Sequence, residues 1–270
     1  MCKFTHVYLS LLMGGCMNYK LNVFENKFGF ATVEGATHVN LPQSESRFGF
    51  TLAEVLITLG IIGIVAAMTI PNLITNYQKH VTVTKLQKAI SVLNQAYKMS
   101  FDEVGEPSVS ESKAMGAEEY FRQYWAPYLK TSLLCKTYKD CGYKSVAPFE
   151  SINGTSISTI VVSLNERATF YTHDGFLYII FTAGGRTGEQ VAISYLIVDI
   201  NGGEGPNRVG RDVFYLTRVP KDGGGIQPYG YDASNGSVEK ACSKALNNGN
   251  FCVEKIRRAG WKIEKDYPWK

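Results

Sequence analysis

From Phe50 to Ile70 the chain carries one formal charge, Glu54, in a run otherwise made of apolar residues, Thr and Gly. As a helix rising about 1.5 Å per residue, this stretch spans roughly 30 Å, the thickness of a bilayer's hydrocarbon core. A carboxylate there is costly unless something pairs with it, so Glu54 reads as functional. Arg47 precedes the run and sets the cytoplasmic side. Gly49 also precedes it. A secretory signal is cut after its apolar region, so a cut at Gly49 would leave this helix on the mature protein.

Arg47-Phe48-Gly49-Phe50-Thr51-Leu52-Ala53-Glu54, the apolar run Val55 to Met68 and the following Pro71 resemble the N-terminus of type IV pilins and type II secretion pseudopilins. The resemblance implies that a prepilin peptidase cuts between Gly49 and Phe50 and that Phe50 is N-methylated. Glu54 and Pro71 occupy the motif's glutamate and proline positions. Cleavage would free an α-amino cation at Phe50, able to lie beside Glu54 of a neighbouring subunit. Removing one side of such a pair in an apolar bundle costs about 3–5 kcal/mol, so the pair would set register.

The implied fold is α+β and pilin-like. A long N-terminal helix, membrane-spanning in its first half, packs on an antiparallel sheet head with a disulfide-bounded C-terminal tail. Residues 1–49 are then a leader, 50–74 the transmembrane and assembly helix, and 75–270 the head. Implied partners are identical or homologous pilin subunits, the prepilin peptidase, an inner-membrane assembly platform and, before assembly, membrane lipid. The implied location is the bacterial inner membrane, single-pass, with the head outside the cytoplasm, and then a filament in the periplasm or at the cell surface. The implied function is structural: a subunit of a type IV pilus-like or type II secretion filament. The alternative is a minor tip pilin that binds DNA or a surface.

The leader is long for this class, and Met17 offers a later start. Lys27-Phe28-Gly29-Phe30 with Glu34 echoes the cleavage motif, but Gly35-Ala36-Thr37-His38 follows in place of an apolar run. Met13-Gly14-Gly15-Cys16 lacks the leucine of a lipoprotein box. The net charge of +4 is spread along the chain with no Lys/Arg run, so charge does not indicate nucleic acid.

Cys2 and Cys16 fall in the leader. Cys135 and Cys141 flank one short segment, and Cys242 and Cys252 another. Close pairs in an exported domain read as disulfides, with three connectivities open to four cysteines. Sequential pairing, Cys135–Cys141 and Cys242–Cys252, is the simplest. The second pair resembles the C-terminal staple of pilins.

Beyond Pro71, Leu73, Tyr77, Val81, Leu86, Ile90, Leu93 and Tyr97 keep a helical period, predicting one helix from Phe50 to about Phe101. Glu111 to Leu129 reads as a second helix with Tyr120, Phe121, Tyr124 and Trp125 as its apolar face, ended early by Pro127. Ile157–Leu164, Ala168–Thr172, Phe176–Thr182, Val191–Asp199 and Val213–Val219 are rich in β-branched and aromatic residues and read as strands of a meander. His173-Asp174-Gly175 and Gly184 to Gly188 read as turns. Short tail helices are expected near Val238–Leu246 and Phe251–Arg258, with Trp261 and Trp269 as packing anchors.

The loop Asp199 to Asp212 sets oxygen side chains on a glycine-rich backbone, which is what calcium needs. It looks similar to the calcium-binding loop of major pseudopilins, and Asp199, Asn201, Glu204 and Asp212 are the candidate ligands. The plainer reading is a turn in which Asp199 and Asn201 cap backbone amides. Gly184 to Glu189 lacks the Gly-Lys-Ser/Thr ending of a phosphate loop. His80 and His173 stand beside no nucleophile motif. No Gly-x-Ser-x-Gly or His-Glu-x-x-His is present, so nothing in the sequence points to an enzyme.

Overall fold

The computed structural model describes residues 49–163, 166–182, 195–219, 225–245 and 248–269. The leader with Cys2, Cys16 and the Lys27–Glu34 echo lies outside the described residues. So do the Gly184–Glu189 turn, Leu164 and the start of the expected Val191 strand.

Helix α1 runs from Leu52 to Val104, 53 residues that continue through Pro71. No described residue before Thr82 is buried, so the first half of α1 offers its apolar surface on every side. Its threonines are satisfied internally: Thr58, Thr69 and Thr75 donate to the carbonyls of Val55, Val65 and Pro71. That suits a helix with no water to bond to. From Thr82 onward one face turns inward. The buried stripe is Thr82, Val83, Leu86, Ala89, Leu93, Ala96 and Ser100. Sequence periodicity picked Ile90 and Tyr97 for this face, yet both are only half-buried, and the two alanines sit deepest beside the leucines. Small side chains there bring the helix axis close to the sheet.

Helix α2 spans Val109–Tyr124, followed by a single 3-10 turn, Ala126–Tyr128. Its start is a capping box. Ser108 Oγ accepts from Glu111 N at 3.2 Å, and Ser108 N donates to Glu111 Oε2 at 2.8 Å. The helix therefore begins two residues before Glu111, on a Ser-x-x-Glu signal present in the sequence. It stops before Leu129, as Pro127 led one to expect, and Trp125, expected on its apolar face, is its C-cap.

Six strands follow: β1 Thr131–Leu134, β2 Arg167–Thr172, β3 Leu177–Phe181, β4 Tyr195–Asp199, β5 Val213–Val219 and β6 Gly225–Pro228. They form one antiparallel meander in chain order. Side chains alternate between two buried faces. Phe170, Tyr178, Ile180, Leu196, Val198, Phe214 and Leu216 share a core with α1, α2 and the tail. Leu177, Ile179, Ile197 and Val213 share a second core with Tyr143, Phe149, Val161 and the Cys135–Cys141 pair.

Two strand expectations need correction. Ile157–Ser163 is not a strand: it crosses that second face as irregular chain, bonded through Ile157 N to Phe149 O and Val161 N to Val146 O. Of its β-branched residues only Val161 is fully covered, Ile160 being exposed, so composition here marks neither ladder pairing nor general burial. Conversely, β6 went unforeseen because it opens on Gly225 and closes on Pro228, residues that argue against a strand except at an edge.

The tail carries α3, Asn235–Ala241, and α4, Cys252–Arg258. Trp261 and Trp269 pack partly buried against the main core. A row of side chains fastens α1 to the head. Lys79 Nζ donates to Glu264 O at 3.4 Å, Lys85 Nζ to Ile200 O at 3.2 Å, and Lys88 pairs with Asp174 at 3.1 Å. Farther along, Asn94 binds the Ile226 backbone and Tyr97 donates to Glu106.

Candidate functional site

Two places in the chain carry the functional readings. The first is the start of α1. Gly49 and Phe50 are exposed, and Phe50 shows 88% of its surface. A Cβ on Gly49 would meet no atom within 4 Å, so the bond between them is sterically open. Glu54 lies in the first turn of α1. Leu52, Leu56, Ile57, Leu59, Ile61, Ile62, Ile64, Met68 and Leu73 are all exposed. A continuous apolar cylinder of this length cannot remain in water; it calls for lipid or for other helices.

The second place is the β4–β5 loop, at whose base stand two buried acids. Asp199 ends β4 and is fully buried; Asp212 is nearly so. Ile200 N donates to Asp212 O at 2.9 Å, closing the loop between them. Asp199 accepts from Tyr143 Oη at 2.7 Å and from Asn201 N at 3.2 Å. Asp212 accepts from Arg208 N at 2.6 Å and Asn207 N at 2.9 Å. Burial raises the pKa of both carboxyl groups, and the charge of Asp212 pushes Asp199 further up. Burial and the neighbouring Asp199 likewise push the Tyr143 hydroxyl up.

The amides are less settled. Asn201 Nδ2 donates to Glu204 O at 2.8 Å and Gly205 O at 3.2 Å. Asn201 Oδ1 and Asn207 Oδ1 are buried with no hydrogen-bond partner. Such oxygens are expensive to leave unmatched. Asp199, Asn201 and Asp212 are thus neighbours at the base of the loop. Glu204 does not join them; its side chain is exposed. Among the described residues no group of three or more His, Cys, Asp or Glu side chains is placed to hold a metal ion. Asn207, overlooked in the sequence, is the second amide of the loop whose buried oxygen has no hydrogen-bond partner.

The loop is braced from below. Tyr171 Oη donates to Cys141 O at 2.9 Å and accepts from Gly203 N at 2.8 Å. A Cβ on Gly203 would lie 2.6 Å from Cys141 O, so only glycine permits this approach. The chain pairs Cys135 with Cys141 and Cys242 with Cys252. The first disulfide thus underlies the floor of the acid loop. Tyr143 and Tyr171 carry this architecture, and nothing in their local sequence announced it.

Comparison with protein families finds the prokaryotic N-terminal methylation motif over residues 46–70. The chain carries the type IV pilin and pseudopilin signature. Its fold, a long apolar N-terminal helix packed on a six-stranded antiparallel sheet with two disulfides, is pilin-like. A family of unknown function (DUF6613) matches residues 72–178, from just after Pro71 into β3. Neither match reaches the β4–β5 loop. No curated protein and no solved structure matches the chain. The pilin-type motif and the helix it opens fit a subunit anchored by a single membrane pass.

Proposed function

We propose that the chain is a structural filament subunit of the type IV pilin or pseudopilin kind, cut between Gly49 and Phe50, N-methylated on Phe50 and polymerised through α1. One observation carries this reading: the methylation motif runs directly into a helix whose whole apolar first half is unburied. The head cannot cover that surface, so lipid covers it before assembly and sister helices cover it afterwards. In the bundle, Glu54 is the acid that pairs with the Phe50 amine of a neighbour, and Pro71 lies near the outer end of the apolar run. Partners are other pilin subunits, the prepilin peptidase and the inner-membrane platform. No step in this role is chemical, and the chain acts as a building part and not as an enzyme.

The test is mass spectrometry of the protein extracted from membranes of cells that express a prepilin peptidase. The reading requires a chain beginning at Phe50 and carrying one added methyl group. A chain that begins elsewhere overturns it.

Calcium at the β4–β5 loop is a second element of the proposal, favoured by the two unmatched amide oxygens of Asn201 and Asn207 beside Asp199 and Asp212. A hard cation bound there would screen the two buried charges and accept both amide oxygens. Glu204, on the exposed crown, would contribute only from outside. Its check is the thermal midpoint with calcium and with chelator: a rise with calcium supports it, and no difference removes it.

A further inference from the structure

Along α1 the run of exposed apolar side chains that begins at Leu52 ends at Leu73, Ile74 and Tyr77; Gln78, Lys79 and His80 follow. From Leu52 to Tyr77 the helix covers about 38 Å at 1.5 Å per residue. A bilayer offers roughly 30 Å of hydrocarbon and about 40–45 Å with its headgroups. The run fits the full thickness with headgroups, so with Leu52 in the inner headgroup layer Tyr77 lies in the outer one, where tyrosine is favoured.

The C-terminal tail is fastened at that height. Lys79, two residues beyond Tyr77, donates to Glu264 O. The tail is also held internally: Trp261 N donates to Ile256 O at 2.9 Å, Asp266 pairs with Lys255 at 2.6 Å, and the Tyr267 hydroxyl donates to Gly210 O. Trp261, Ile263 and Trp269 pack on the core with one side and remain partly exposed on the other, while Lys262 and Lys265 are exposed. Exposed Glu264 and Asp266 offset the two lysines. The segment therefore suits the polar–apolar boundary itself and not attraction to anionic lipid.

We propose that the tail Trp261–Trp269 rests in the outer headgroup layer of the membrane that α1 spans, making a second lipid contact of the unassembled subunit. This rests on the single-pass reading of α1. The contact fixes the head against the bilayer and is given up when the subunit moves into a filament.

The experiment uses the full chain reconstituted in phosphatidylcholine vesicles, with and without lipid brominated near the headgroup end of its chains. Of the three tryptophans, Trp125 is buried in the head core. Half-quenching of the other two should lower total emission by roughly one-third. The double variant Trp261→Phe with Trp269→Phe should lose that quenching. Emission unchanged by brominated lipid, in protein that floats with the vesicles, overturns the tail contact and leaves the spanning helix standing. Equal quenching in the double variant also overturns it. Protein that fails to float overturns both readings.

Discussion

Asn94 pairs with the backbone of Ile226 as a neighbouring strand would. Its Oδ1 accepts from Ile226 N at 2.8 Å, and its Nδ2 donates to Ile226 O at 3.1 Å. One helical side chain thus occupies both backbone hydrogen-bonding groups of Ile226 on the edge strand β6. Open edges recruit other strands, so this pairing protects the sheet. Replacing Asn94 by Ala should cost about 1–3 kcal/mol of head stability, because it strands a backbone donor and acceptor. Chemical denaturation of the protein in detergent measures it. Gly225→Ala should destabilise similarly, since its Cβ would fall 2.4 Å from Asn94 Oδ1. Unchanged denaturation midpoints in both variants would contradict the pairing.

Glu54→Ala should leave the melting of the head unchanged, because Glu54 lies far along the helix from the first buried residue, Thr82. Assembly should fall by at least about tenfold, the loss expected when an ion pair loses a partner in an apolar bundle. Cross-linking of subunits in membranes measures assembly, and wild-type yields of cross-linked oligomer would refute the role.

The acid loop has a defined pH signature. Asp199 and Asp212 have carboxyl pKa values raised by burial. The folded state therefore holds these protons more tightly than the unfolded chain. Their stabilising contribution is complete below the ordinary aspartate pKa of about 4 and is lost as pH rises through the raised values. Without calcium, stability should fall over that window. Asp199→Asn should flatten the fall, and calcium should reduce it in the wild type. Thermal midpoints across pH, with and without chelator, measure all three. A wild-type slope retained in the variant would remove Asp199 from the account.

Loss of the Cys242–Cys252 bond by Ser substitution should cost about 2–4 kcal/mol through unfolded-state entropy. Loss of Cys135–Cys141 should have a further, local effect. Tyr171 and Gly203 contact the backbone around Cys141, so amide exchange in the β4–β5 loop should quicken in that variant alone. Equal exchange in both variants would disprove the link.

The long helix, the end of α2 and strand β5 were legible because periodicity, a proline and β-branched composition all spoke locally. The register Cys135–Cys141 and Cys242–Cys252 was legible from spacing. What escaped were features made by distant partners. Edge strand β6 depends on Asn94, 132 positions away. The second face of the sheet depends on Val161 and Tyr143 reaching it without strand geometry, and composition alone made 157–163 look like a strand. In the acid loop, residue type pointed to Asp199, Asp212 and Glu204 alike, but Glu204 is exposed while Asn207 Oδ1 is buried, and burial is a property of the fold.

The fastenings between α1 and the head are spaced from Lys79 to Asn94, about 23 Å of helix, and reach the tail, the β4–β5 loop, the β2–β3 turn and the edge strand in succession. A pull along the rod therefore enters the domain as shear spread over many rungs, and no single loop must bear the tension by itself.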